Sequence, residues 1–87
     1  MLFNLGQIVT TRTIAENVEP EKVASMIRKH VTGDFGELHQ DDIEMNKEAI
    51  KSGEDRILSA YTVDGVKVYV ITEWDRSYTT VLFADEY

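Results

Sequence analysis

"RILSAYTVDGVKVYVITE" (residues 56–73) decides the fold of this chain. Two runs rich in β-branched and aromatic residues alternate with period two on either side of Asp64-Gly65, a pair that suits a two-residue type I′ turn. The pattern therefore predicts an antiparallel hairpin, and the turn fixes its register. The predicted cross-strand pairs are Val63 with Val66, Tyr61 with Val68 and Ser59 with Val70.

The segments on either side of the hairpin predict the other elements. "YTTVLFA" (78–84) and "GQIVTTR" (6–12) are strand patterns, and "TIAE" (13–16) has the Thr-to-Glu spacing of a short capped helical turn. Helical periodicity covers "EPEKVASMIRKHVTG" (19–33) and "DDIEMNKEAIKSG" (41–53), the second with Asp41 as its N-cap. We expect a single α+β domain over residues 1–87, with a three- to four-stranded antiparallel sheet and two helices packed on one face.

Both faces of the predicted hairpin are substantially apolar. One face carries Ile57, Tyr61, Val66, Val68 and Val70, and the other carries Leu58, Ala60, Tyr69 and Ile71. The pattern does not say which face the helices cover. Because the helices can cover only one, the other is left for a partner, and a homodimer is one way to satisfy it.

The composition excludes several classes of function. Sixteen acids against nine bases give a net charge of −7, which argues against binding nucleic acid or an anionic membrane surface. The chain has no cysteine, its N-terminal segment lacks a signal-peptide pattern, and no apolar run is long enough to cross a membrane. These features predict a cytoplasmic protein.

Acidic residues are concentrated in the loop and second helix, where residues 33–48 hold six acids and one base. This concentration is more typical of a solvated helix N-terminus, and the alternative interpretation is a surface that binds a basic protein. The EF-hand spacing for calcium is absent, and two histidines without cysteine make no zinc site, so no metal or cofactor is predicted. The candidate partner-binding residues are Asp34, Glu37, Asp41, Asp42, Glu44, Trp74 and Arg76.

Three further positions have both a structural and a functional interpretation. Trp74-Asp75-Arg76 lies between two strands, and Trp and Arg are residue types common at interface hot spots. A turn in which Trp74 covers the edge of the sheet explains the same residues equally well. His30 lies on the apolar stripe of the first long helix, where we expect it to be packed and bonded to a last-turn carbonyl. Asn46 interrupts the stripe of the second helix and either faces an interface or ties the helix to a neighbouring backbone.

The stretches "GQIVTTR", "HVTGDFGEL", "RILSAYT" and "ITEWDRSYTTVLFADEY" resemble a family of small uncharacterised bacterial proteins of plasmids, phages and conjugative elements, often labelled "plasmid-related protein". The resemblance implies a mobile-element context and carries no established activity. A weaker similarity, in the layout of helices followed by strands, is to small RNases and toxins of the barnase and RelE type. That alternative would use His39, Arg56, Arg76 and Thr79 as catalytic or phosphate-binding groups.

The scattered bases and the negative charge disfavour the RNase alternative, and no phosphate loop, nucleophile elbow or zinc-protease motif is present. The sequence therefore favours a non-enzymatic protein-interaction module of a mobile element, whose acidic surface binds a basic protein. Inhibition of a host defence nuclease is one specific version of this hypothesis.

Overall fold

The computed structural model describes residues 1–87 and contains one four-stranded sheet in the order β1-β4-β3-β2. The strands are β1 (Gln7–Thr10), β2 (Ile57–Val63), β3 (Val66–Thr72) and β4 (Tyr78–Phe83). The helices are α1 (Arg12–Asn17), α2 (Pro20–Val31) and α3 (Gln40–Ser52), and a 3-10 turn covers Ala84–Glu86. The α+β prediction is confirmed.

The β2–β3 hairpin has the register that the sequence predicts. Val63 pairs with Val66, Tyr61 with Val68 and Ser59 with Val70. Asp64 and Gly65 both have positive φ, as a type I′ turn requires at its two central positions. The turn therefore sets the alternation of every side chain in both strands.

The N-terminal strand differs from the all-antiparallel prediction, because β1 pairs with β4 in parallel. All three helices and the hairpin separate β1 from β4 in the chain, so no short turn forces the antiparallel direction. Two helix starts also differ from prediction: Thr11 caps α1 by accepting from the Ile14 amide, and His39 is the N-cap of α3 instead of Asp41.

The helices cover one face of the sheet, which we call the inner face. Ile14 of α1 and Met26 of α2 share a buried cluster with Val68, Val70 and Val81. A second cluster joins Ala49 of α3 to Ile57 and Phe35 near the β2 edge. The sequence did not show which face of the hairpin the helices cover. In the structure they cover the face that carries Ile57 and Tyr61.

The opposite face, here called the open face, carries no helix. Strand alternation assigns the outward positions to it. They are Gln7, Val9, Leu58, Ala60, Thr62, Lys67, Tyr69, Ile71, Tyr78, Thr80 and Leu82, of which Ala60, Ile71 and Leu82 are buried. The C-terminal Tyr87 returns to this face, where its ring lies edge-on to Tyr69 with 5.8 Å between ring centres.

The outer edge of β2 is closed by atoms of the same chain. The Asn46 side chain accepts from the Leu58 amide (3.0 Å) and donates to the Leu58 carbonyl (2.6 Å). Next to it, the Ala60 amide donates to Phe35 and the Ala60 carbonyl accepts from Glu37 (3.0 and 2.7 Å). Asn46 thus ties α3 to a neighbouring backbone, one of its two predicted roles, and blocks an edge that would otherwise invite strand pairing.

No helix in the structure is both long enough and apolar enough to cross a lipid bilayer.

Candidate functional site

A chain of buried polar groups crosses the inner face. His30 of α2 is fully buried, with Nδ1 on the Ser59 hydroxyl and Nε2 2.9 Å from the Thr72 hydroxyl. Thr72 Oγ1 lies 2.7 Å from Thr79 Oγ1, and Thr79 donates to the Leu5 carbonyl (2.7 Å). The expected bond from His30 to a last-turn carbonyl is therefore wrong, because the imidazole points away from its own helix into the sheet.

The order of donors in this chain of hydrogen bonds shows that Nε2 of His30 carries a proton. Thr79 gives its only hydroxyl hydrogen to Leu5, so Thr72 must donate to Thr79 and His30 Nε2–H must donate to Thr72. Burial lowers the pKa of His30 from 6.5 to about 4, so the imidazole is neutral at pH 7. With its one proton on Nε2, Nδ1 then accepts from the Ser59 hydroxyl. A neutral, solvent-free imidazole of this kind holds α2 on the sheet and has no access to a substrate.

The acidic surface comprises Asp34, Glu37, Asp41, Asp42 and Glu44. Four of them are exposed and Asp42 is half-buried. Glu37 is fixed on β2 through its backbone and by the Thr62 hydroxyl, which donates to its carboxylate. Only Glu44 has an ion pair, with Lys47 at 3.6 Å. Four of the five carboxylates therefore have no ion-pair partner within the chain.

Arg76, in the loop 73–77 at the end of the sheet, is occupied within the chain. Its Nη1 donates to the carbonyls of Asp55, Glu73 and Trp74, and its Nη2 donates to Ala49 near the C-terminus of α3 (2.7–3.1 Å). Asp75 folds the same loop by accepting from the amide and hydroxyl of Ser77, and this hydrogen bonding lowers the pKa of Asp75. In this conformation Arg76 fastens two loops together.

Trp74 is the part of this loop that faces solvent, with 64% of its surface exposed. It lies beside Arg76, which contacts the C-terminal end of α3, whereas Asp41 and Asp42 occupy the first turn of the same helix. Residues 41 and 49 are about 12 Å apart along a helix axis. The structure therefore places Trp74 and Arg76 near the C-terminal end of α3, and Asp41 and Asp42 at its N-terminal end.

We expect Arg76→Ala to lower the free energy of unfolding by about 2–3 kcal/mol, because four charge-assisted bonds to carbonyl oxygens are lost together. Trp74→Ala should change it by less than about 0.5 kcal/mol, since the side chain is mostly exposed. Urea unfolding of both variants measures this difference. Equal stability of the two variants would contradict a structural role for Arg76.

The residues of the RNase alternative do not meet. Thr79 is fully buried on the inner face, and Arg76 is bound to backbone carbonyls. Arg56 lies on the open side, with its guanidinium carbon 5.2 Å from the centre of the Tyr87 ring. His39 is exposed at the opposite end of α3 from Arg76. No pair of these groups is arranged for acid–base work on a phosphodiester.

The sequence interpretation missed the tyrosines of the open face. Tyr69 is half-buried, and Tyr78 and Tyr87 are exposed, by 42% and 63%. The period-two pattern assigns Tyr69 and Tyr78 to one face once the β3–β4 pairing is known, but the return of Tyr87 onto Tyr69 has no local signal. Exposed tyrosine is a residue type enriched at protein interfaces.

Histidine and carboxylate side chains nowhere form a group of three placed to hold a metal ion. Comparison of the chain with protein-family models, with curated proteins and with solved structures finds no match. The resemblance to mobile-element proteins stays a prediction.

Proposed function

We propose that this protein is a non-enzymatic interaction module whose acidic surface binds a basic protein partner. The supporting observation is that Asp34, Glu37, Asp41 and Asp42 make no ion pair while their backbone is held by β2 and by the start of α3. Fixed charges need little ordering when a partner arrives, so complementary positive charge is attracted at low entropic cost.

The resemblance to plasmid and phage proteins suggests where the partner belongs. In that context it is a host or element-encoded protein, and inhibition of a defence nuclease by imitation of nucleic-acid charge is one version of the proposal. A nuclease that grips phosphates with lysine and arginine presents the kind of surface to which these carboxylates are complementary.

The test compares two variants that change net charge equally. The α3 variant removes three negative charges from the first turns of α3 and carries Asp41→Asn, Asp42→Asn and Glu44→Gln. The control variant removes three negative charges from exposed acids elsewhere and carries Glu19→Gln, Glu21→Gln and Glu54→Gln. Immobilised wild-type protein and both variants are exposed to lysate of the source cell at low and high salt. We expect basic proteins to be retained by the wild type and the control, and retention by the α3 variant to fall about tenfold.

Retention that is the same for all three proteins, or that does not weaken at high salt, would rule out an electrostatic mechanism. The RNase alternative is tested separately with labelled single-stranded RNA. Cleavage by the wild type that His39→Ala abolishes would replace the proposal, and His39 suits this test because its side chain caps nothing in the structure.

A further inference from the structure

The strand β1 lies at an edge of the sheet, and its outer side is unpaired. On the inner side, the Gln7 amide donates to the Ser77 carbonyl of the loop before β4 (3.1 Å), and Val9 has the same orientation two residues later. The residues between and after them, Ile8 and Thr10, therefore point the amide and the carbonyl of each away from β4. These backbone groups are available to a further strand.

The two edges of the sheet differ in how they are protected. The β2 edge is closed by Asn46 and by the segment that contains Gly36. The β1 edge contains no proline and no charged residue, which are the features that usually keep an edge from pairing. Two apolar side chains are exposed there instead, Ile8 by 42% and Val9 by 39%.

An apolar groove adjoins β1 on the inner face. It lies between α1 and α2, where Ala15, Val23 and Ile27 are among the residues that line it. Thr10 also lines the groove and is the only lining residue with a polar side chain. Strand alternation places Ile8 on the same face as Thr10. The free backbone groups and the groove therefore lie side by side.

We propose that β1 pairs in antiparallel orientation with β1 of a second copy of this chain, about a twofold axis that is normal to the sheet and passes through Val9. In this register Ile8 of each copy lies opposite Thr10 of the other. Each of these two pairs exchanges amide-to-carbonyl bonds in both directions, so every outward backbone group of β1 is used. The contact is self-complementary, as a twofold dimer requires.

The groove and the backbone conformation both favour this register. The exposed Ile8 of one copy is placed beside Thr10 of the other, at the entrance to the groove between α1 and α2, and this contact occurs twice. An axis through Ile8 would pair Thr10 with Gly6, which has φ +63° and is not extended. An axis through Thr10 would pair Ile8 with Arg12, the first residue of α1. Only an axis through Val9 uses the whole strand.

The size and charge of the contact set its expected behaviour. A strand of four residues is about 13 Å long, and its contact is smaller than the standard interface of about 800 Å² per partner. The dimer should therefore dissociate on dilution from millimolar to micromolar concentration. The paired residues are uncharged whereas each copy carries −7, so added salt should lower the dimer Kd by screening repulsion. A basic partner bound by the acidic surface should show the opposite salt dependence.

The test is sedimentation equilibrium on the wild type and on two variants of Val9, which faces its own copy across the axis with Cβ atoms about 5 Å apart. Val9→Lys and Val9→Glu each place like charges side by side, and each should raise the dimer Kd by about tenfold. An equimolar mixture of the two places lysine opposite glutamate and should associate about tenfold more tightly than either variant alone. Altered folding of a variant cannot produce this recovery.

Val66→Lys is the matched control. Val66 is 47% exposed, similar to Val9, but it lies on β3, which β4 separates from β1. This variant should have the dimer Kd of the wild type.

Three results would overturn the proposal. A wild-type chain that stays monomeric up to near-millimolar concentration at high salt would leave the edge to a strand of a different protein. A mixture of the Val9 variants that associates no more tightly than each alone would show that Val9 is not on the axis. A Kd that Val66→Lys raises as much as Val9→Lys does would place the contact elsewhere on the molecule.

Discussion

Replacing Gly36 with alanine is expected to destabilise this protein far more than the same replacement at Gly53. Gly36 has φ +75°, and a Cβ there would lie 2.0 Å from the Ala60 carbonyl oxygen and 2.7 Å from the Tyr61 ring. To relieve the overlap, segment 35–37 must move off β2 and lose both of its backbone bonds to Ala60. We expect a loss of about 4 kcal/mol, a large share of the stability of a domain this size.

Gly53→Ala is the matched control. Gly53 has the same φ of +75°, but nothing lies within 4 Å of the added Cβ, so only the backbone strain of about 1 kcal/mol remains. Urea unfolding of both variants separates strain from collision. An equal loss for the two would show that segment 35–37 moves away from β2 at little cost. If Gly36→Ala does not fold at all while Gly53→Ala does, the larger destabilisation predicted for Gly36→Ala is still confirmed.

Acidification should unfold the protein through His30. Its pKa is about 4 when folded and 6.5 in an unfolded chain, so the unfolded state binds more protons throughout that interval. Stability therefore falls as pH decreases from 6.5 to 4, by about 3 kcal/mol in total. The physical reason is that an imidazolium here would be surrounded by Phe3, Phe35 and hydroxyl groups, with no carboxylate in contact.

The measurement is the free energy of unfolding as a function of pH, for the wild type and for His30→Gln. Glutamine keeps one donor and one acceptor and does not titrate. The free energy of unfolding of this variant should therefore be lower than that of the wild type at neutral pH, and should change less between pH 6.5 and 4. NMR of His39→Gln provides a second measurement, because only the His30 imidazole remains. An imidazole that titrates near 6.5 in the folded protein would contradict the neutral, buried assignment.

The hairpin was predictable because its determinants are local. Asp64-Gly65 allows one turn type, and the turn then fixes every pair from Ser59–Val70 to Val63–Val66. Helix positions were also predictable from periodicity, although the N-caps of α1 and α3 lie two residues before the predicted ones. His39 and Thr11 precede the first helical residues, and such boundaries depend on which backbone groups the tertiary structure leaves free.

The remaining features depend on contacts between distant segments. The parallel direction of β1 follows from its place beside β4, some seventy residues later in the chain. The same holds for the site: Arg76 is a residue type common at interface hot spots, yet its Nη1 and Nη2 already donate to carbonyls of residues 49, 55, 73 and 74. Sequence gives the residue type of a candidate, whereas its availability depends on the fold around it.

The unequal borders of the sheet limit how this protein can polymerise. A filament built by strand addition needs two available borders on every unit, one to receive and one to extend. Here Asn46 and Gly36 occupy the β2 side, and only β1 remains for an incoming strand. Growth through the backbone must stop once two molecules have joined, so the native fold cannot seed an endless cross-β stack without first releasing α3.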